Sequence, residues 1–421
     1  MIGAIADDFT GATDIAVAFR RAGLRVVIHF ADPTDDALPE HDVAIVALKS
    51  RTIPAEDAVR QSLHAVRWLR AHGAQQIFFK YCSTFDSTAA GNIGPVTDAL
   101  MDELEAKRTV FVPASPEHLR TQYMGHLYVD RLLLSDSHMR HHPLTPMTNS
   151  FIPDVLAAQT CRRVGLIDES HVHSGAESIR AELADAVDQA VPYVVVDAIT
   201  DADLRQIGEA VADDPLVTGA AGIAAGLGHA VARRLGHARR PASVPARAFP
   251  AAPTAVLAGS CSARTLEQID AARAAQHPSF RLDAIATPDA DALAAQALVW
   301  FDEQPERPAP MIYSSLPPAE LKRVQDALGV QRSSDILETA MGKIAEGLVD
   351  RGVRRVVVAG GETSGAVVTA LGITGGQIGA EAAPGVPWIH TGGDEPLELL
   401  LKSGNFGDVN LLARAAEEAV R

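Results

Sequence analysis

The sequence predicts an α/β protein of two domains, each a mostly parallel sheet covered by helices. Three observations carry this. Short apolar runs of strand length alternate with amphipathic helical stretches from Ile2 onward, the pattern of a helix-covered parallel sheet. At 421 residues the chain exceeds the size at which one core keeps growing, so two domains are expected. Between Gly236 and Pro253 the periodicity breaks into a proline-rich stretch without an apolar stripe, as in an interdomain linker. The expected division is therefore a domain at 1–235, a linker at 236–253 and a domain at 254–421.

Ile2 to Ala6 is a short apolar run that ends in the adjacent acids Asp7 and Asp8, followed by Phe9-Thr10-Gly11. Asp14 to Ala22 runs in helical register, with Ile15, Ala18 and Phe19 on one face and Gly23 as the stop. A carboxylate pair thus stands where a strand hands over to a helix, the edge at which open α/β sheets bind ligands. Two adjacent acids repel each other unless a cation or a hydroxyl donor sits between them. Val43 to Leu48 is a second strand. A helix starting at Pro54 places Val59, Leu63, Val66 and Leu69 on one stripe and ends at Gly73. Ile77 to Phe79 is a third strand, leading into Lys80, Cys82, Ser83, Thr84, Asp86, Ser87, Thr88 and Gly91-Asn92-Ile93-Gly94. A helix from Val96 to Leu104 and a strand from Thr109 to Val112 follow.

Leu127 to Pro153 reads as a long irregular loop containing His138, His141 and His142. Without a companion acid cluster these read as loop histidines rather than metal ligands. Gly165 to Ile167 and Tyr193 to Val196 are further strands, and Val217 to Gly228 is strand, small-residue turn and helix. In the second half, Ala255 to Ala258 leads into Gly259-Ser260-Cys261-Ser262, with a helix opened by Thr265. Met311 to Tyr313 is a strand, Ile336 to Asp350 an amphipathic helix, and Arg355 to Ala359 a strand breaking into Gly360-Gly361-Glu362-Thr363-Ser364-Gly365. The uncharged stretch Thr363 to Ala380 contains five glycines and reads as loop, helix and loop rather than a membrane span.

Lys and Arg total 37 against 53 Asp and Glu, a net charge of −16, which argues against nucleic acid or an anionic membrane as partner. Three scattered cysteines without CxxC spacing fit a reducing cytoplasm and no structural zinc. The amino terminus shows no signal-peptide pattern. The expected location is the cytoplasm.

The turns at Gly259–Ser262 and Gly360–Gly365, with a third at Ser403–Gly407, are built from residues that let backbone N–H groups approach an anion. Neither GxxxxGK[ST] nor GxGxxG occurs. Phosphate binding is expected there, with Glu362 suited by its charge to a metal or a ribose hydroxyl rather than to phosphate. In the first half, Lys80 with Ser83, Thr84, Ser87 and Asn92 beside Asp7 and Asp8 suits a hydroxylated carboxylate. The ammonium would take the carboxyl group and the acids the hydroxyls. Taken alone, Lys80 is equally a strand-end lysine.

ADDFTGATD at the start, KYCSTFDSTAAGNIG at Lys80 to Gly94, HHPLTPM at His141 to Met147, VAGGETSG at Val358 to Gly365 and TGGDEPLELLLKSGNFG at Thr391 to Gly407 resemble the four-carbon acid-sugar kinase family across essentially the whole chain. The resemblance implies an acid-sugar-binding domain, a nucleotide-binding domain, an active-site cleft between them, and transfer of the ATP γ-phosphoryl group to a terminal hydroxyl. Threonate and erythronate kinases typically carry DSTLRGN. Here Asp86, Ser87, Thr88, Gly91 and Asn92 match, but Ala89-Ala90 replaces Leu-Arg, removing a rigid guanidinium fork. KYCSTFDST and KSGNFG resemble the 3-oxo-tetronate kinase branch, which implies phosphorylation of 3-oxo-tetronate on its 4-hydroxyl. Threonate or erythronate 4-kinase is the alternative within the family, and a nicotinamide-dependent oxidoreductase or an acid-sugar sensor outside it. The carboxylate partner is Lys80 or an arginine from elsewhere.

The roles then expected are these. Asp7, Asp8 and Asp86 are catalytic, one of them the base. Lys80, Ser83, Thr84, Ser87 and Asn92 bind substrate. Ser260, Gly360, Gly361, Glu362, Thr363, Gly404 and Asn405 hold ATP, with Mg²⁺ bridging its phosphates through ligands the sequence does not name. The partners are small molecules, and a homo-oligomer is compatible with the sequence.

Overall fold

A computed structural model describes residues 1–30, 33, 40–142, 145–236, 252–393 and 395–417. Most of the expected linker, and Pro143, Leu144 and Asp394 of the quoted motifs, lie outside these residues. The chain divides into two compact units, Met1–Ala242 and Ser243–Arg421.

The strands of the first unit are β1 (Ile2–Ala6), β2 (Val26–Phe30), β3 (Val43–Ala47), β4 (Gln76–Lys80), β5 (Thr109–Val112), β6 (Arg120–Tyr123), β7 (His126–Val129), β8 (Leu132–Leu133), β9 (Val164–Ile167), β10 (Tyr193–Val196) and β11 (Leu216–Gly219). Eight of them form a parallel sheet in the order β2-β3-β1-β4-β11-β5-β10-β9. β1 and its neighbours are buried throughout, as strands covered by helices on both faces must be, and so read as continuous apolar runs. The chain goes from β1 outward to β2, back to β3, and then across β1 to β4. This reversal leaves a crevice at the carboxyl ends of β3, β1 and β4.

Four sequence expectations need correction in detail. The first helix is Phe9–Arg21, not Asp14 to Ala22, because Asp8 caps it: its Oδ1 accepts from the Gly11 N–H at 2.8 Å. Phe9-Thr10-Gly11 is therefore a helical turn. The loop expected from Leu127 to Pro153 contains β7 and β8, which join β6 in an antiparallel sheet. These strands are only four and two residues long, too short for a period of two to show in the sequence. Gly360–Gly365 is not a loop; Gly360 caps the helix Gly361–Ala370. The tail of the uncharged stretch is a strand, Gly375–Ala383, rather than a loop. β2 is a further strand beyond those expected. No helix among the described residues is long and apolar enough to cross a membrane.

The strands of the second unit are β12 (Thr254–Ala258), β13 (Ser279–Arg281), β14 (Met311–Tyr313), β15 (Arg355–Ala359), β16 (Gly375–Ala383), β17 (Val386–Thr391) and β18 (Glu398–Lys402). They run β13-β14-β12-β15-β18-β17-β16, parallel through β18 and antiparallel beyond it. The same reversal occurs here. The chain leaves β12 for β13, returns to β14 and crosses to β15, so a second crevice opens at the carboxyl ends of β14, β12 and β15.

Candidate active site

In the first unit the crevice collects charge. Arg51, which follows β3, donates from Nε to Asp7 Oδ2 at 2.9 Å and from Nη2 to Asp7 Oδ1 at 2.8 Å. The same Nη2 lies 2.8 Å from Asp8 Oδ1. Thr10 Oγ1 donates to the other oxygen of Asp8 at 2.8 Å. The repulsion between adjacent acids is thus relieved by a guanidinium held in a bidentate grip. Backbone bonds fix this grip: Ser50 N and Arg51 N donate to the Asp7 carbonyl at 3.0 and 3.2 Å.

The two carboxyls separate in acidity. Burial pushes Asp7 above the ordinary carboxylate range despite Arg51. For Asp8 burial acts upward too, but Arg51, Lys80 and the hydrogen bonds from Thr10 and Gly11 outweigh it and hold the group low. Asp14, one turn along the helix, is pushed up by burial against the pull of Lys80 and His118. Asp8 is therefore the acid of this set that stays ionised most firmly, and its side chain is 27 % exposed against 9 % for Asp7.

Lys80 closes β4 beneath these acids, buried, with Nζ donating to the Tyr81 carbonyl at 2.7 Å. Gly11 is required here. A Cβ on it would stand 2.3 Å from Asp8 Oδ1 and 2.9 Å from Lys80 Nζ. The loop after β4 turns on Phe85, fully buried yet at φ 51°. That left-handed conformation costs a non-glycine residue about 1–3 kcal/mol. Packing of its ring against Tyr81, 5.3 Å between centroids, holds it there. The turn presents Thr84, whose hydroxyl donates to Asp86 Oδ1 at 2.5 Å and lies 3.0 Å from Cys82 Sγ. Ser83 stands in the same loop, half-buried.

Two expected substrate ligands have other partners. Asn92 Nδ2 donates to the carbonyls of Ser50, Arg51 and Ile53 at 2.7, 3.2 and 2.9 Å, so this side chain clamps the segment that carries Arg51. Ser87 Oγ donates to Gln159 Oε1 at 3.2 Å, which also accepts from Gly94 N at 3.0 Å. The sequence reading missed Arg51 as a named residue. Its signal was available: a lone arginine in Ser50-Arg51-Thr52, just past an apolar strand that neighbours β1.

In the second unit the residues expected at the phosphates come together. Gly259 N and Ser260 N both donate to the Ala359 carbonyl, at 2.9 and 3.1 Å, and Gly360 N donates to the Lys402 carbonyl at 2.9 Å. These bonds stitch the ends of β12, β15 and β18 side by side. Cβ atoms are excluded at the junctions: one on Gly259 would lie 2.0 Å from Thr363 Oγ1, and one on Gly404 2.5 Å from Ser260 Oγ. Gly360 sits at φ 130°, open to glycine and strained for other residues. Ser262 caps the helix Ala263–Ala274, accepting from Thr265 N at 3.2 Å and donating to the Gly404 carbonyl at 2.7 Å. Asn405 stands in the turn after Gly404, exposed.

Beside this junction a cavity of 490 Å³ runs from Gly259–Cys261 and Gly360–Thr363 to a wall of Leu316, Leu321, Val324, Leu337 and Met341, with Gln325, Ser333 and Glu338 among them. Small residues at one end, and aliphatic side chains with a few polar groups at the other, suit a ligand with a charged tail and a flat head that carries hydrogen-bonding edges. The volume falls in the range of small-ligand sites. Glu362 lines the cavity from the first turn of the helix Gly361–Ala370.

A carboxylate pair on its arginine in one unit, and a glycine-lined junction beside a cavity in the other, stand at the carboxyl edges of their sheets, an arrangement that fits a carbohydrate kinase of two α/β domains. Comparison with known proteins agrees. Residues 2–227 match the model of a sugar-binding N-terminal domain, and residues 255–412 that of a nucleotide-binding C-terminal domain. The chain is 47 % identical over 419 residues to a 3-oxo-tetronate kinase of Pseudomonas fluorescens, covering 99 % of this chain and 96 % of that one. It is 48 % identical over 415 residues to the one of Burkholderia multivorans, covering 99 % and 96 %. Among solved structures, a Salmonella typhimurium LT2 protein described as a tRNA synthase superposes with a TM-score of 0.91 at 40 % identity, covering 100 % of this chain and 99 % of that one. Haemophilus influenzae protein HI1011 gives 0.84 at 40 % identity, covering 98 % of each chain. The chain belongs to the four-carbon acid-sugar kinase family, alongside the 3-oxo-tetronate kinases.

Proposed function

We propose that this protein transfers the γ-phosphoryl group of ATP to the 4-hydroxyl of 3-oxo-tetronate, giving 3-oxo-tetronate 4-phosphate and ADP, in the cytoplasm. The observation that carries the reading is the split of the acid pair. One carboxylate, Asp8, is kept ionised and partly open by Arg51, beside a buried lysine, in a chain that also holds an anion cradle. Lys80, together with Arg51, answers the substrate carboxylate, and Asp7 and Asp8 take its hydroxyls. The 4-hydroxyl oxygen attacks the γ-phosphorus as the bond to the bridging oxygen of ADP breaks, and Asp8 accepts the hydroxyl proton. Asp86, tied to Thr84, orders the substrate loop. Ser260, Gly360, Gly361, Thr363, Gly404 and Asn405 surround the phosphates, and the base and ribose occupy the slot ending at Leu337 and Met341. Such transfer requires the acid and the nucleotide to be held together with water excluded.

Mg²⁺ fits this donor set as a nucleotide-borne ion. Among the described residues no three His, Cys, Asp or Glu side chains gather as a metal nest, and Mg²⁺ is commonly held by phosphates, waters and one or two carboxylates. Glu362, which lines the cavity beside the glycine junction, would serve it, and the ion would supply neutralisation of the phosphate charge.

A coupled ADP-release assay across four-carbon acids, each with and without a 3-keto group, tests the proposal. The 3-oxo acids should give the highest kcat/KM. Ala89 and Ala90 are both exposed and carry no cation, which supports a preference other than threonate. Faster turnover of threonate or erythronate would reassign the substrate. A thermal shift with acid but no ADP release would favour a sensor.

A further inference from the structure

Lys402 is the last residue of β18 and is fully buried. A buried ammonium normally faces a carboxylate, because its desolvation is otherwise uncompensated. Here all three of its hydrogen bonds end on neutral oxygens: Thr265 Oγ1 at 2.9 Å, Gln268 Oε1 at 2.6 Å and the Gly404 carbonyl at 3.0 Å. Among the described residues no carboxylate pairs with it. The charged groups on the surrounding elements have partners of their own. Arg264, on the helix Ala263–Ala274, lies 3.1 Å from Glu267. Asp408, beyond the turn, lies 2.9 Å from Arg414. Glu398, at the other end of β18, lies 2.7 Å from Arg355. Glu362 opens the helix after β15.

The acceptors of this lysine belong to the turn and helix start that the proposed function assigns to the phosphates. Thr265 Oγ1 and Ser262 Oγ also donate to the Gly404 carbonyl, at 2.9 and 2.7 Å. Gln268 Nε2 holds the far side of the turn through the carbonyls of Phe406 and Asp408, at 3.0 and 2.8 Å. Lys402 therefore lies directly beneath the Ser403–Gly407 turn, behind the floor on which an anion would rest.

We propose that Lys402 is a positioning residue for the nucleotide: it fastens the Ser403–Gly407 turn to the Ser262–Thr265 helix start, and its unpaired charge is completed by the phosphates of the bound nucleotide. This rests on the reading of the second unit as the ATP site. Burial, with Arg264 adding to it, brings the Lys402 pKa down to about 8. The sign follows. A phosphate nearby favours the protonated lysine, so nucleotide binding takes up a proton wherever the free site has lost it. Affinity should be constant below about pH 8 and fall above it, approaching about tenfold per pH unit.

The test is ADP binding to the full chain by calorimetry between pH 7 and 9.5, read from about pH 7.5 upward, where the last ionisation of the ADP phosphate, at about pH 6, is almost complete. The wild-type affinity is expected to hold to about pH 8 and then weaken. Lys402→Met should weaken ADP at pH 7 by about tenfold or more, leave the KM for the acid unchanged, and abolish the alkaline decline. Lys402→Arg keeps a charge that does not titrate in this range, so it should also remove the decline while retaining more affinity than the methionine variant. If Lys402→Met does not fold, the wild-type profile and Lys402→Arg decide the matter. Wild-type affinity that stays flat to pH 9.5, or a decline that survives in either variant, overturns the role of Lys402. Failure of the wild type to bind ADP at any pH overturns the nucleotide reading beneath it.

Discussion

Replacing Arg51 by methionine should leave two carboxylates facing each other without their cation. In the wild type the guanidinium makes two hydrogen bonds to Asp7 and one contact to Asp8, all at 2.8–2.9 Å. Asp7 is 7 % exposed, so water cannot fully replace what is lost. Breaking one partner out of such a buried pair costs about 3–5 kcal/mol. For a unit spanning Met1–Ala242, that corresponds to a fall in Tm of about 6–20 °C. The cost should depend on pH in a fixed sense. Without Arg51, Asp7 moves further above its unfolded value, so its penalty is present when the group is ionised and fades as pH falls through the raised folded value. Adding Asp7→Asn removes one of the stranded charges and should restore part of the loss. The assay is thermal and urea unfolding of the wild type, both single variants and the double variant, at pH 7 and pH 5. A loss under about 1 kcal/mol in the Arg51→Met variant, or no recovery in the double variant, would refute the reasoning that one guanidinium holds the acid pair together.

Asp8→Asn should lower kcat by about 10²–10⁴-fold, the usual share of a general base, while ADP affinity changes by less than about threefold; a collapse of ADP affinity would show that the division of labour is wrong. Asn92→Ala removes three hydrogen bonds to the segment carrying Arg51 and should cost about 1–3 kcal/mol in unfolding experiments, with a raised KM for the acid and an unchanged KM for ATP. Gly360→Ala meets φ 130° and a backbone nitrogen at 3.0 Å, so the second unit should lose about 1–3 kcal/mol of stability to strain, read by urea unfolding. The Asp8 carboxyl, held below its usual value, contributes stability that is present above its unfolded pKa and lost as pH falls through the lower folded value. Asp8→Asn should therefore flatten the acid end of a pH–stability curve measured below about pH 4.

Most of the architecture was open to a sequence reading because parallel strands buried on both faces are nearly unbroken apolar runs. β1, β3, β4, β10 and β15 are of this kind. The small sheet of β6 to β8 was not, since its half-exposed strands lack that mark. Capping hid the start of the first helix. Asp8 satisfies the Gly11 N–H, so helix begins in a segment whose composition reads as a turn; at Gly361–Ala370 the N-cap is Gly360, which offers no side-chain bond. The glycines of the cradle were legible by type. The reason each is glycine was not, because the obstructing atoms, Thr363 Oγ1 for Gly259 and Ser260 Oγ for Gly404, come from elsewhere in the chain.

By itself, then, the amino-acid order determined two α/β units, a carboxylate pair at the end of the first strand, and glycine turns at the strand ends of the second unit. These are consequences of local pattern and of backbone sterics. Tertiary structure alone decided that Arg51 pairs with Asp7, that Asn92 braces the Arg51 segment, and that Lys402 lies buried under the Gly404 turn. Those outcomes depend on which strands are neighbours, and so on a packing order that joins residues far apart in the chain, as in the bond from Ser262 to Gly404, 142 positions apart. The electrostatic balance of a site is set by such neighbours, because desolvation and pairing act through space and not along the chain.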